Sequence, residues 1–240
     1  MKLKNTTQFS ILIYFLTIPF YSLAQDSSGS KWSLGINASI DYNYRMLSKT
    51  IDNSYLNTFI SYRDDIEYPK IGYTAGIALQ YQFTRHLALA TGANYSLKGY
   101  ETKNLQYRML DTANQLQYYP AYQGFIFKYI DIPIQLRMSV GHKSVQFIYG
   151  FGVNLNVLLE SRFVSDFEYY NYQKNINTTK NYQKLNISPT IYLGIKYEPT
   201  AKINFLFEPT LRYQLLKNIN TPITERLYNV GLNITTFYRL

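Results

Sequence analysis

The chain has no cysteine among its 240 residues. That excludes a lipid-modified N-terminal cysteine, a disulfide scaffold and every thiolate metal site. Histidine is almost as scarce, with only His86 and His142. Hydrolytic and acyl-transfer sites generally set a histidine near an acid and a nucleophile, and both histidines fall in short turns, so the expectation is no enzyme. There is no phosphate-binding glycine loop. Apart from Ile11–Phe20 no apolar run approaches helix length. A spanning helix requires about 18 apolar residues, so any membrane insertion has to use strands.

The formal charge is +9, of which Lys2 and Lys4 supply two. The Lys and Arg are scattered and form no arm of the kind that tracks a phosphate backbone, so no nucleic-acid partner is expected. An anionic membrane surface is the more natural counterpart. Lys2 and Lys4 precede the short apolar core, and Ser22-Leu23-Ala24 offers small residues where a signal peptidase reads. Residues 1–24 are therefore expected to be a signal peptide cleaved after Ala24. Residues 25–31 form a short segment, and 32–240 a single barrel domain.

What is abundant is alternation. From Trp32 to Met46 every second residue is apolar (Trp32, Leu34, Ile36, Ala38, Ile40, Tyr42, Tyr44, Met46), and the residues between are Ser, Gly, Asn, Asp and Arg. Period two gives a strand with one apolar and one polar face. Fifteen residues exceed an ordinary strand of about 5–6 and suffice for a membrane crossing of about 9–11. The stripe recurs over residues 70–83, 87–98, 128–140, 144–157, 186–198, 202–215 and 228–240. Three connections are short, around 84–86, 141–143 and 199–201. The other four, roughly 47–69, 99–127, 158–185 and 216–226, are long. The expected fold is all-β: an eight-stranded antiparallel up-and-down transmembrane β-barrel with short periplasmic turns and long extracellular loops.

A soluble eight-stranded barrel also alternates, but with its apolar face inside. Three features turn this one inside out. The apolar set is too bulky for so narrow a lumen. Of the 12 glycines, Gly35, Gly72, Gly76, Gly92, Gly150, Gly152, Gly194 and Gly231 lie on the polar face, where a cramped interior needs small residues. Aromatics bound the stripes, with Tyr42, Tyr44, Tyr73, Tyr95, Tyr213 and Tyr228 at the outer rim. Trp32, Tyr81, Phe83, Phe147, Tyr197, Phe205 and Tyr238 stand at the other. Two such belts are what the two interfaces of a bilayer select.

The segment Tyr129-Ile130-Asp131-Ile132-Pro133-Ile134-Gln135-Leu136-Arg137 resembles the Y-[LI]-[ED]-[IV]-P strand of the PorT-type outer-membrane β-barrel family, and Phe147-Ile148-Tyr149-Gly150-Phe151-Gly152 is similar to the strand that follows it. The resemblance implies an eight-stranded barrel in the outer membrane of a Gram-negative cell. In some members it implies an accessory role in protein secretion. The end of the chain, from Asn229-Val230-Gly231-Leu232 to Leu240, resembles the terminal signal read by the barrel-assembly machinery, with Leu in place of the commoner Phe.

Pro133 sits inside a strand that a closed barrel leaves no edge for, and proline lacks the ladder N–H. A ladder defect at Pro133, of the β-bulge kind, is expected, and Pro189 and Pro209 raise the same issue. Charges of both signs fall on the inward face. Asp41, Asp131, Arg137, Glu208 and Arg212 are the candidate lumen network, with Asp131, Arg137, Glu208 and Arg212 meeting near mid-strand as an ion-paired plug. The acidic run at Asp64, Asp65 and Glu67 lacks the ligand count of a hard-cation site, and no cofactor is implied. In the long loops, Tyr169, Tyr170 and Tyr172 are candidate binding residues, since tyrosine suits adaptable contacts. The expected function is that of a non-catalytic, cell-surface barrel with a scaffold, surface-binding or secretion-accessory role. The alternative is a porin-like carrier or narrow pore for a small solute. Outer-membrane lipid and lipopolysaccharide, the assembly machinery and a surface or secretion partner are the partners implied.

Overall fold

A computed structural model of the chain describes residues 30–110, 115–141, 144–167 and 172–240; the expected signal peptide lies outside them. Nine strands occur there: β1 (Trp32–Lys49), β2 (Glu67–Thr84), β3 (Leu87–Leu110), β4 (Leu116–Val140), β5 (Val145–Phe167), β6 (Tyr172–Asn177), β7 (Leu185–Tyr197), β8 (Ile203–Tyr213) and β9 (Ile223–Arg239). All pairings are antiparallel. The sheet runs β4-β3-β2-β1-β9-β8-β7-β5-β6, and pairing of β4 with β5 closes it. Eight strands thus form the ring. The ninth, β6, pairs only with the upper part of β5, Arg162–Phe167.

The ring is inside out, as the stripes require. Ile40, Ile71 and Ile77 are largely exposed, while Asp41, Ser96, Asn156 and Thr235 are buried. Aromatic rings meet across strands at both rims. Trp32 and Tyr81 lie 4.8 Å apart at one end, and Tyr44 and Tyr228 lie 6.1 Å apart at the other.

The long connections are more ordered than loops. β3 and β4 continue as a paired hairpin up to Leu110 and Leu116, so most of 99–127 is strand. Likewise β5 and β6 occupy much of 158–185. The connection from β1 to β2 contains helix α1 (Ser54–Ile66), where the stripe pattern predicts loop. Its start is set by Asn53, whose carboxamide oxygen accepts from the Tyr55 N–H at 2.9 Å. That satisfies one of the orphan donors of the first turn. In the short turns, the Thr84 hydroxyl accepts from the backbone of both His86 and Leu87, and Gly141 takes the left-handed φ of 125° that a side chain disfavours.

The ladder defect expected at Pro133 is present, but not as a bulge. Pro133 pairs with Asn154 on β5 in an unbroken register. Towards β3 the pairs Thr91–Ile134 and Asn94–Asp131 keep one register with none between them. The ladder therefore has a gap at Pro133 and no bulge. Pro209 leaves a similar gap between Tyr192–Thr210 and Ile195–Phe207, and the β7–β8 ladder stops at Thr190, next to Pro189. The bulge in the β4–β5 pairing lies elsewhere, opposite Lys128 and Tyr129, and the extra residue is Leu159 on β5. A missing donor needs only an unmade bond on one side; it does not need an extra residue.

Candidate functional site

The lumen is the place where the sequence concentrated its buried charge. In β4 the residues Tyr129, Asp131, Pro133, Gln135 and Arg137 all point inward by the period of the strand, and the first three and Arg137 are buried. The segment that carries the family resemblance is thus the segment that fills the barrel.

The expected network divides into separate pairs. Arg137 Nη2 lies 3.2 Å from Glu208 and also donates to Gln80 and Gln135. Asn233 donates to the same Glu208 oxygen at 2.9 Å. Arg212 Nη1 lies 2.9 Å from Asp41, which also accepts from Ser39 and Thr74. Asp131 pairs with neither arginine. Its partner is Lys98 at 2.9 Å, a residue left out of the expected set, with Ser96 and Asn156 donating to it as well. The four-membered cluster is therefore corrected to three two-membered pairs. Each charge takes the nearest opposite group at its own height, and the nearest one to Asp131 is on the adjacent strand β3.

Between the pairs is a cavity of about 30 Å³ lined by Asn37, Asn94, Gln135, Asn233, Arg137 and Arg212 among others. That is room for roughly two water molecules. Asn37 Oδ1, Asn94 Oδ1, Asn233 Oδ1 and Arg137 Nε face it without a hydrogen bond from the described residues.

Above and below, apolar side chains cluster on the inward face among polar ones. Near the short turns Ile148, Leu206 and Phe237 form one buried cluster, with Arg137 over the Phe237 ring at 5.4 Å. Near the long connections Tyr100, Phe127, Tyr129, Leu158 and Leu227 form another, with Tyr44, Phe125 and Tyr182 packed on it. The polar middle is held between two apolar plugs. Alternation alone does not reveal them, because Phe237 and Leu227 lie out of phase with the stripes.

A second charged cluster caps the long-connection plug. Arg45 pairs with Asp64 of α1 and with Glu67 at 2.6 Å. Arg63 of α1 reaches Glu67 at 2.6 Å, the Tyr100 hydroxyl at 3.1 Å and Glu225 at 3.6 Å. Tyr100 in turn donates to Glu225 at 2.8 Å. Glu225 lies beyond the Tyr228 rim, outside the spanning segment. Burial raises its pKa above the usual carboxylate value, against the lowering pull of the Tyr100 hydroxyl and Arg63. The acidic run of the first long connection thus supplies Glu67 to a buried latch, with Asp64 half-exposed at its edge.

His86 sits in a short turn with Nδ1 3.0 Å from the Ser139 carbonyl; His142 lies outside the described residues. So do Tyr169 and Tyr170, and of Tyr172 only the backbone is described. Among the described residues no three His, Asp or Glu side chains gather as a metal site would require.

A closed, lipid-facing ring with a filled polar lumen defines an integral outer-membrane β-barrel protein. A family model, the outer membrane protein beta-barrel domain, matches residues 23–218, and the chain belongs to that family. No curated protein matches it. Among solved structures it is similar to Neisserial surface protein A, with 14% identity, a TM-score of 0.44, and 88% of this chain and 98% of that one covered. It is also similar to OprG from Pseudomonas aeruginosa, with 11% identity, a TM-score of 0.40, and coverage of 90% and 100%. A third is the outer membrane protease OmpT from Escherichia coli, with 8% identity, a TM-score of 0.44, and coverage of 91% and 100%. The last corrects the expectation that the chain is no enzyme, since a protease stands among the similar barrels.

Proposed function

We propose that this protein is a PorT-type surface scaffold of the outer membrane, exported by residues 1–24, which binds a partner through its long-connection end rather than passing a solute. The observation that carries the reading is the filled lumen. Two apolar plugs bracket three ion pairs, and eight strands rarely leave an open channel. The part free to bind is then the outward end: α1, the β3–β4 hairpin and the β5–β6 hairpin, held by a rigid ring. The inward-pointing Tyr129–Arg137 segment supports the PorT-type assignment. The narrow-pore alternative has no comparable support.

The test has two arms. Wild-type protein in planar bilayers is expected to give no large single-channel current, and such a current would sink the reading. Crosslinking on intact cells, followed by purification, is expected to recover a partner that is lost when Tyr169, Tyr170 and Tyr172 are changed to Ser. Deleting 163–182 would be a poor test, because Tyr182 packs edge-on against Phe127, with ring centroids 4.9 Å apart, at the plug.

A further inference from the structure

Helix α1 carries an aromatic flank that none of the described residues covers. Tyr55, Phe59 and Tyr62 are 82%, 54% and 53% exposed. They stand at i, i+4 and i+7, on one side of the helix. The neighbouring face, Leu56, Ile60 and Arg63, is part-buried, and the far side, Asn57, Ser61 and Asp65, is exposed and polar. Half of the apolar arc is spent on the barrel and half is left over.

The outward surface of the ring says what lies beside it. Apolar exposure continues past the Tyr42–Tyr73 rim. Met46, Leu159, Leu185 and Leu215 are each about half exposed on strands or strand ends above it, and Tyr68 is the second residue of β2, which follows α1 directly. On β2 the exposed apolar surface therefore runs from Tyr73 through Ile71 to Tyr68, next to the end of the helix. An amphipathic helix with aromatics on its apolar side and polar groups opposite is the form that lies in a membrane interface. The latch of Arg63 on Glu67 and Tyr100 fixes the roll of the helix and so the side on which the aromatics emerge.

We propose that α1 is an interfacial helix whose Tyr55, Phe59 and Tyr62 flank seats in the headgroup–acyl boundary of the outward leaflet. The helix then has two duties, closing the mouth with Arg63 and anchoring the outward end of the barrel to lipid. The inference goes beyond the partner-binding reading and stands without it.

The chain has one tryptophan, Trp32, which permits a clean test. Trp32→Phe/Phe59→Trp and, as the polar-side control, Trp32→Phe/Ser61→Trp are refolded in phospholipid vesicles containing a share brominated near the headgroup. Folding of each is checked by heat-modifiable electrophoretic mobility, and Trp32→Phe/Tyr55→Trp is the second reporter should the first not fold. The reporter on the aromatic flank is expected to emit further to the blue and to be quenched by the brominated lipid about threefold more than position 61. Equal lipid quenching at both positions, or free access of iodide to position 59, overturns the proposal and leaves the flank to solvent or to a protein. Repeating the measurement with lipopolysaccharide in the vesicles is expected to preserve the difference; its loss there likewise overturns the proposal.

Discussion

Arg137 and Glu208 meet at 3.2 Å although their strands, β4 and β8, are separated in the ring by β5 and β7. The pair therefore ties opposite walls of the barrel across the lumen. Both side chains are buried, and removing one member of a buried pair leaves an uncompensated charge, at a typical cost of about 3–5 kcal/mol. Arg137→Met is expected to lower stability by that order in urea unfolding from lipid vesicles. Glu208→Gln should cost less, because Asn233 and Arg137 can still donate to the amide oxygen. Arg137→Met/Glu208→Leu should recover much of the loss. A double variant no better than the worse single one would mean that the pair is not the coupled unit.

Gly231 has a task that its resemblance to an assembly signal conceals. A methyl placed on it would run into the Asp41 carboxylate and the Ser39 hydroxyl, and Asp41 is the partner of Arg212. Gly231→Ala is expected to push the carboxylate off the guanidinium and to destabilise by about 3 kcal/mol. In an Asp41→Ser background the same change should cost far less, and the coupling energy from the double-mutant cycle measures the difference. Equal losses in both backgrounds would place the cost in the backbone of β9 instead.

The ring itself was legible because period two records only which face a residue takes, and the bilayer makes the two faces chemically opposite. Trp32–Met46 needed no tertiary knowledge. Pairing inside the lumen was not legible in the same way. Asp131 and Arg137 share a strand face, yet which partner each takes depends on stagger between strands, and that put Lys98 rather than Arg212 beside Asp131. Helix α1 was hidden for another reason. Its residues Ser54–Ile66 include Thr, Ser, Tyr and Phe, which are middling helix formers, and its order comes from the Asn53 cap and the Arg63 latch. The plugs were masked by their small number: Phe237 and Leu227 interrupt the polar face of β9 singly, and single interruptions make no pattern of their own.

The two plugs act in series, which makes a specific prediction about conductance. Phe237 is fully buried in the short-turn plug, and Phe→Ala in a core typically costs about 3–5 kcal/mol. Phe237→Ala should therefore destabilise the barrel. It should pass no current, because Tyr100, Phe127 and Tyr129 still fill the other end. Phe127→Ala should behave alike. Only Phe237→Ala/Phe127→Ala should give a small current in planar bilayers, limited by the ion pairs between. A current from either single variant would show that one plug alone seals the barrel.

Glu225 gives the cap of the barrel a pH dependence of unusual sign. Its pKa in the folded protein is raised above the ordinary glutamate value of 4.5, chiefly by burial. The folded chain then holds the proton more tightly than the unfolded chain. Stability from this group is full below pH 4.5 and is lost as the pH rises through the raised value, the reverse of a carboxylate stabilised by a salt bridge. Glu225→Gln keeps an oxygen for the Tyr100 hydroxyl and removes the charge, and Arg63 retains Glu67. The variant is expected to unfold at higher urea than wild type at pH 8 and to match it near pH 4, with the difference appearing across the interval between. Hydrogen exchange in α1 should slow with it, since the helix hangs on the same cluster. A variant less stable than wild type at pH 8 would mean that Arg63 outweighs burial and that Glu225 is held charged.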